Sequence, residues 1–175
     1  MANDLHLWES FLQSDKKALS VIFLNHYDDL LRYGCKLAGD QNIAKDCIQD
    51  LFLKLWKNRA NLRPIENIKP YLFKSLRNHI VDSLDLQKNN IAIDMDWEYP
   101  FSMVYSHEDF IITDQVAETI RINVIEALNK LKPRQREAIY LRYFEELDFE
   151  IIAQVMEMNV QLHSLKTMLS GVVAD

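Results

Sequence analysis

Apolar residues recur at helical intervals along most of this 175-residue chain, which contains only three glycines and four prolines. Side chains three and four positions apart share one face of an α-helix, so the spacing predicts helices that each bury one stripe. The scarcity of Gly and Pro disfavours a turn-rich β fold. With 49% hydrophobic residues, the chain is expected to be an all-α protein with packed cores.

The spacing predicts three helices in the first half of the chain. One long block over residues 5–37 should end at Gly39, because glycine readily adopts the left-handed conformation that often follows a helix. A second helix is expected over residues 42–58. A third should have Pro70 in its first turn and reach about residue 86.

The helical pattern fails between residues 87 and 112 and then returns. The interruption is rich in acidic residues, which is typical of a linker. Four aromatic residues in it are expected to dock locally: Trp97, Tyr99, Phe101 and Tyr105. The sequence therefore predicts two small helical domains, residues 1–88 and 113–175, joined by an acidic linker over residues 89–112.

The positive charge is concentrated in the first of these domains. The whole chain has 20 basic and 26 acidic residues, a net charge of −6. Residues 1–88 carry 13 basic and 11 acidic groups (+2), and residues 89–175 carry 7 and 15 (−8). A confined basic region on an acidic chain indicates a local track for nucleic acid.

Seven basic residues between Lys54 and Arg77 form this region, with Glu66 as the one acid among them. Aromatic residues are interleaved with them: Trp56, Tyr71 and Phe73. Aromatic faces among cations suit unpaired bases better than a closed duplex. A solvated charged face beside core aromatics explains the same pattern equally well.

The predicted second helix has an apolar stripe and an opposite polar face that contains one leucine. The stripe consists of Ile48, Leu51, Phe52 and Leu55. The polar face consists of Asp46, Gln49, Asp50 and Lys57, with Leu53 among them. An exposed leucine ringed by polar groups is a candidate anchor for a partner helix, although single exposed leucines are common on protein surfaces.

The predicted third helix divides in the same way. Its apolar side consists of Leu72, Phe73, Leu76, Ile80 and Leu84. Its other side carries Tyr71, Lys74, Ser75, Asn78 and Asp82, with Arg77 on the flank. A tyrosine ring for stacking, an amide for a base edge and two cations for phosphates are the groups that bind a single strand. An ordinary helix surface has a similar composition.

Residues 131–160 have the pattern of a helix-turn-helix. A helix begins at Pro133, a short helix follows Asp148 as its N-cap, and a further helix begins near Asn159. Ala153 is the small residue that allows the two helices of the motif to approach each other. The turn position where glycine is frequent is Glu157, which carries a mild conformational cost.

Three segments together resemble the extracytoplasmic-function (ECF) group of sigma-70-like bacterial RNA polymerase sigma factors. AKDCIQDLFLKLW (residues 44–56) is similar to the family's core-polymerase-binding helix. IKPYLFKSLRNHIVD (68–82) is similar to its promoter-melting, -10-reading helix, and LKPRQREAIYLRYFEELDFEIIAQVM (131–156) to the start of its -35-reading fourth region. Each motif is loose, but their order and spacing are specific.

The resemblance assigns residues and partners by position. Contact with the β′ clamp of core polymerase falls on Asp46, Gln49, Asp50, Leu53 and Lys57. Contact with the -10 strand falls on Arg59, Arg63, Asn67, Lys69, Tyr71, Lys74, Arg77 and Asn78. Contact with the -35 element falls on Arg134, Asn159, Gln161, His163 and Lys166. The family also implies contact with the polymerase β flap, a linker that threads the polymerase, and an anti-sigma factor as a further partner.

Two segments depart from the family pattern. The family usually has an Arg- and Lys-rich run after the melting helix, where this chain has DLQKN over residues 85–89. After Asn159 the family has further cations, whereas residues 159–175 contain only Lys166. We therefore expect the second domain to bind -35-like duplex no better than random DNA, so that promoter choice rests mostly on the first domain.

Other classes of function find little support in the sequence. It has no paired nucleophile and base, no phosphate-binding loop and no metal-ligand spacing among Cys35, Cys47 and the five histidines, so we expect neither an enzyme nor a cofactor or metal. No signal segment or apolar run of about 20 residues is found, so a cytoplasmic protein without membrane insertion is expected. Two alternatives stay open: a sigma-like interaction protein that selects no promoter, and a helix-turn-helix repressor.

Overall fold

The computed structural model describes residues 2–87, 101, 128 and 130–158, and all regular structure in these residues is helical. The first domain contains α1 (Ala2–Leu12), α2 (Lys16–Ala38), α3 (Gln41–Asn58), a short 3-10 turn (Arg59–Asn61) and α4 (Ile68–Gln87). The second contains α5 (Pro133–Tyr143) and α6 (Phe149–Val155). The all-α prediction is confirmed.

The predicted single long helix at the start of the chain is wrong, because it is divided between α1 and α2. Ser14 adopts a φ of 70°, which no helix continues. Asp15 then caps α2, and its carboxylate accepts the backbone N–H of Lys17 at 2.8 Å. The division lets α1 fold back so that Trp8 and Phe11 are fully buried.

The other predicted helix ends of the first domain are close to those observed. Gly39 ends α2 with a φ of 72°, and its N–H donates to the carbonyl of Cys35 at 3.0 Å. Asp40 caps α3 by accepting the N–H groups of Asn42 and Ile43 at 2.6 and 3.1 Å. These two adjacent residues end one helix and begin the next, so α3 folds back to pack against α2.

The core of the first domain lies between α2, α3 and α4. The predicted stripe of α3 is buried, as are Leu72, Phe73, Leu76 and Ile80 of α4. Gly34 of α2 sits at the junction of all three helices. A Cβ atom added there would lie 3.1 Å from the Cβ of Ala44 on α3 and 3.5 Å from the Cδ1 of Ile80 on α4. Glycine therefore allows the close approach of three helices.

The second domain corrects one prediction and supports another. Asp148 precedes α6 in an extended conformation, but its carboxylate makes no capping hydrogen bond and lies 3.5 Å from the Nη1 of Arg142 instead. Glu157 has a φ of 50°, which agrees with the strain predicted for this turn position. The helix predicted after Asn159 lies outside the described residues.

Linker residue Phe101 lies between the two domains and is fully buried. Its ring centroid is 6.3 Å from that of Tyr33 on α2 and 5.9 Å from that of Tyr140 on α5. The expected local docking of linker aromatics is therefore confirmed for Phe101. Trp97, Tyr99 and Tyr105 lie outside the described residues.

Replacing Gly34 by valine should lower the free energy of unfolding by about 2 kcal/mol, because overpacking at the three-helix junction outweighs the gain in helix propensity of less than ~1 kcal/mol. Urea denaturation followed by circular dichroism measures the change. Val21→Ala, at an exposed position of the same helix, serves as control and should change stability by less than about 0.5 kcal/mol. Unaltered stability of Gly34→Val would contradict the close packing.

Candidate partner and nucleic-acid interfaces

The polar face of α3 is exposed, as the helical spacing predicts. We call Asp46, Gln49, Asp50, Leu53 and Lys57 the docking face, and all five side chains are exposed. Leu53 is 59% exposed, although the rest of the apolar surface of α3 is largely buried. An apolar side chain that is mostly exposed among polar groups contributes little to the fold and is available to a partner.

A groove of about 620 Å³ lies beside Leu53, between α2 and α3. Its walls are mainly apolar and aromatic, and include Phe23, Tyr27, Phe52 and Trp56. Phe23 and Phe52 meet edge to face with ring centroids 5.0 Å apart. Gln49 and Leu53 of the docking face stand at its edge. An apolar groove with polar residues along one rim fits an amphipathic helix. Spacing within a single helix could not predict the contribution of α2, since the groove exists only where the two helices pack.

The residues assigned to the -10 strand separate into two groups. Arg59, Arg63 and Asn67 lie in the turn and loop between α3 and α4. Arg63 and Asn67 are exposed. Arg59 is held in place, because its guanidinium lies 4.1 Å from the ring of Trp56 and its Nε donates to the Oγ of Ser14 at 2.9 Å. It therefore also links the end of α3 to the turn between α1 and α2.

The second group lies on α4. We call Lys69, Tyr71, Lys74, Arg77 and Asn78 the strand face. Four of these side chains are partly exposed, whereas Arg77, expected on the flank, is only 6% exposed. The ring of Tyr71 is also less accessible to a ligand than predicted. Its ring packs edge-on against Trp8 at 5.2 Å, and burial raises the pKa of its hydroxyl.

Carboxylates of the second domain form ion pairs and hydrogen bonds with the strand face. Lys69 lies 2.8 Å from the Oε2 of Glu145, and Lys74 lies 3.3 Å from the Oε1 of Glu157. Asn78 donates to the same Glu157 oxygen at 3.1 Å. The hydrogen bond from Asn78 has the largest effect on Glu157, and together with the contact to Lys74 it holds the pKa of this carboxyl below its usual value.

The deepest of these contacts joins Arg77 to Glu137 of α5, which is fully buried. The Nε of Arg77 donates to the Oε1 of Glu137 at 2.9 Å, and the hydroxyl of Tyr33 donates to the same oxygen. Around this pair, the rings of Tyr33 and Tyr140 stack with centroids 6.2 Å apart. Tyr140 in turn donates to Glu145 at 2.8 Å, and its burial, together with that carboxylate, raises the pKa of its hydroxyl.

The partners of the strand face were not predicted from the sequence; they are Glu137, Glu145 and Glu157. The unequal charges of the two halves, +2 and −8, were the available signal. Opposite net charges attract, but they do not tell which carboxylate meets which cation. Of the residues assigned to the -35 element, Arg134 is exposed on α5, and Asn159, Gln161, His163 and Lys166 lie outside the described residues.

The described residues contain no group of three or more His, Cys, Asp or Glu side chains arranged to hold a metal ion. None of the described helices is both long enough and apolar enough to cross a membrane. Cys35 and Cys47 are free thiols, and burial raises the pKa of both. Neither thiol is therefore primed for nucleophilic chemistry.

Two family profiles match the chain: Sigma-70 region 2 over residues 22–89 and Sigma-70, region 4 over residues 121–162. RNA polymerase sigma factor SigV of Bacillus subtilis (strain 168) is 28% identical over 157 residues, covering 90% of this chain and 87% of that protein. ECF RNA polymerase sigma factor SigM of the same organism is 22% identical, covering 79% of this chain and 81% of that protein.

Two solved structures share the fold. CnrH, solved in complex with the cytosolic domain of CnrY, has a TM-score of 0.61 at 16% identity, covering 98% of this chain and 92% of that one. The sigma factor RpoE of Bartonella quintana, solved with the anti-sigma factor NepR, has a TM-score of 0.56 at 20% identity, covering 87% and 89%. The chain belongs to the ECF group of sigma-70-like RNA polymerase sigma factors.

Proposed function

We propose that this sigma factor binds core polymerase through the docking face and directs promoter opening through the strand face. The observation that carries the proposal is Leu53, which stands exposed among Asp46, Gln49 and Asp50 at the rim of the apolar groove. A coiled coil such as the β′ clamp offers apolar and charged side chains at helical spacing, which matches this arrangement.

The proposed domain boundaries follow from the same assignment of binding roles. Residues 1–88 bind core polymerase and the -10 strand, residues 89–112 form the linker, and residues 113–175 approach the -35 element and the β flap. In the second domain the -35 element is approached by Arg134, Asn159, Gln161, His163 and Lys166. The protein itself carries out no chemistry, because polymerase supplies the catalytic site.

An anti-sigma factor is a second proposed partner. One of the two structural relatives was solved with an anti-sigma factor, and the other with the cytosolic domain of CnrY. The groove between α2 and α3 suits an inhibitory helix, because an occupant there would exclude the polymerase from Leu53.

Replacing Leu53 by glutamate should weaken binding of the full chain to core polymerase by about 2 kcal/mol, or roughly 30-fold, because a charge would replace the apolar anchor. Biolayer interferometry with purified core polymerase measures the affinity. Leu24→Glu is the matched control, since Leu24 is 73% exposed on α2 and does not line the groove. An equal loss in both variants, or in neither, would remove the docking face from the proposal.

Run-off transcription on genomic fragments distinguishes a promoter-selecting factor from a sigma-like protein that only holds polymerase.

In the holoenzyme, Lys74→Ala with Asn78→Ala should reduce permanganate reactivity of -10 thymines. It should also lower the salt dependence of strand binding by about 0.7 in slope for each phosphate that is no longer neutralised. Tyr71 is unsuitable for this test because its ring packs on Trp8. Lys17→Ala, at an exposed position near the start of α2, is the control, and identical reactivity in all three proteins would contradict the assignment.

Promoter preference should depend far more on the -10 element than on the -35 element. Residues 159–175 contain one lysine, Lys166, and one acid, Asp175, so few phosphates are neutralised there. Once a promoter is found by run-off transcription, scrambling its -35 element should reduce transcript yield less than about threefold, whereas scrambling the -10 element should abolish it. A strong loss from the -35 change would mean that the second domain reads sequence after all.

A further inference from the structure

We propose that α1 positions the loop between α3 and α4, so that base selection at the -10 element depends on the conformation that α1 imposes on this loop. We call residues 59–67 the selection loop, and it carries Arg59, Arg63 and Asn67. The inference rests on the proposed function, since it takes this loop as part of the -10 surface. It adds Trp8 of α1 as a positioning residue, although the match to region 2 begins only within α2.

The selection loop has little structure of its own. Beyond the 3-10 turn, residues 62–67 adopt neither helix nor strand. The N–H of Leu62 donates to the carbonyl of Arg59 at 3.3 Å, but no backbone hydrogen bond joins residues 63–67 to one another. A segment of this kind populates many conformations unless contacts from elsewhere select one. The conformation of the loop is therefore set by its contacts with the rest of the domain.

The middle of the loop is held by α1. Trp8 is fully buried, and its Nε1 donates to the backbone carbonyl of Arg63 at 3.0 Å. Leu62 and Ile65, on either side of this carbonyl, are partly buried against the same core. A buried indole N–H needs a hydrogen-bond partner, so this contact is favoured over open conformations of the loop. It fixes the backbone at Arg63 while the side chain of Arg63 stays exposed to a ligand.

Two further contacts from the same part of the chain hold the ends of the loop. At its beginning, the Nε of Arg59 donates to the Oγ of Ser14, in the turn that follows α1, at 2.9 Å. At its end, the carboxylate of Asp4 lies 3.5 Å from the backbone nitrogen of Ile68, the first residue of α4. That N–H is among the unpaired groups of a helix start, where a carboxylate is favoured.

Trp8 also connects the loop to the strand face. Its ring packs edge-on against that of Tyr71 on α4, with centroids 5.2 Å apart. One buried side chain thus sets the position of Arg63 on the loop relative to Tyr71 on the helix. Selective contacts must be held to within about 0.5 Å, so a small shift of Trp8 should weaken base selection. Because Trp8 is fully buried, it acts through these residues and not by touching DNA.

Trp8→Phe tests the inference, since it keeps an aromatic ring but removes the N–H donor. Trypsin cleaves after Arg59 but not before Pro64, so the rate of cleavage between Arg59 and Ala60 in the full chain, followed by mass spectrometry, measures release of the loop without DNA. Run-off transcription by the holoenzyme, on a promoter and on versions with single -10 substitutions, gives the ratio of yields that measures base selection. A merely destabilised sigma factor would lower every yield alike and leave this ratio unchanged.

We expect Trp8→Phe to raise the cleavage rate about fivefold and to lower the selection ratio about fivefold, which is the effect of one lost buried hydrogen bond. Affinity for core polymerase should stay the same, because the docking face lies on α3.

Ser14→Gly is a second variant that should not impair folding. It removes the hydroxyl that Arg59 contacts, and glycine is favoured at the φ of 70° found at this position. Both measurements should change about twofold in the same directions as for Trp8→Phe. Leu37→Val is the control for lost stability, because Leu37 is fully buried near the other end of α2. It should alter neither the cleavage rate nor the selection ratio.

Unchanged cleavage and unchanged selection in both variants would overturn the positioning role of α1. Faster cleavage with unchanged selection would separate the loop from base selection, and a lower ratio without faster cleavage would mean that Trp8 acts elsewhere, so either result refutes the proposal. Equal changes in Leu37→Val would reduce the effect to stability and refute it too. Failure of the proposed function is recognised separately, because the unaltered holoenzyme would then show no preference for the -10 element.

Discussion

The buried pair of Arg77 and Glu137 is the interaction on which the arrangement of the whole protein depends. Each side chain comes from a different domain, and each is almost completely removed from water. A lone charge in such a place would be strongly unfavourable, so the two domains must meet in the one position that joins them. Tyr33 completes the hydrogen bonding from α2. The pair therefore links the core of the first domain to the orientation of the second.

The first domain supplies a rigid base for both proposed surfaces. Gly34 lets α2, α3 and α4 approach closely, and the apolar stripes of α3 and α4 fill the space between them. With one side of each helix buried, the opposite sides necessarily face outward. The docking face on α3 and the strand face on α4 are thus consequences of a single packing arrangement, which keeps their relative positions fixed.

The docking face and the strand face differ in their contacts with the rest of the chain. The docking face is exposed, and its groove is open to a partner. The strand face is paired with carboxylates from α5 and from the residues after α5 and α6. In the proposed function, core polymerase would therefore meet an exposed surface, whereas a DNA strand would meet side chains that are already paired within the chain.

The sequence by itself determined the helices, the buried stripes of α3 and α4, the left-handed ends at Gly39 and Glu157, and the exposure of Leu53, because these depend on spacing within one helix or on one residue's backbone. It also carried the signal at Ser14 and Asp15 that divides the first helical block, although apolar spacing alone overlooked it. The groove beside Leu53 and the pairing of Arg77 with Glu137 were decided only by the tertiary structure. Both join residues distant in sequence, and a helical wheel contains no information about which distant carboxylate will neutralise a cation once two domains pack together.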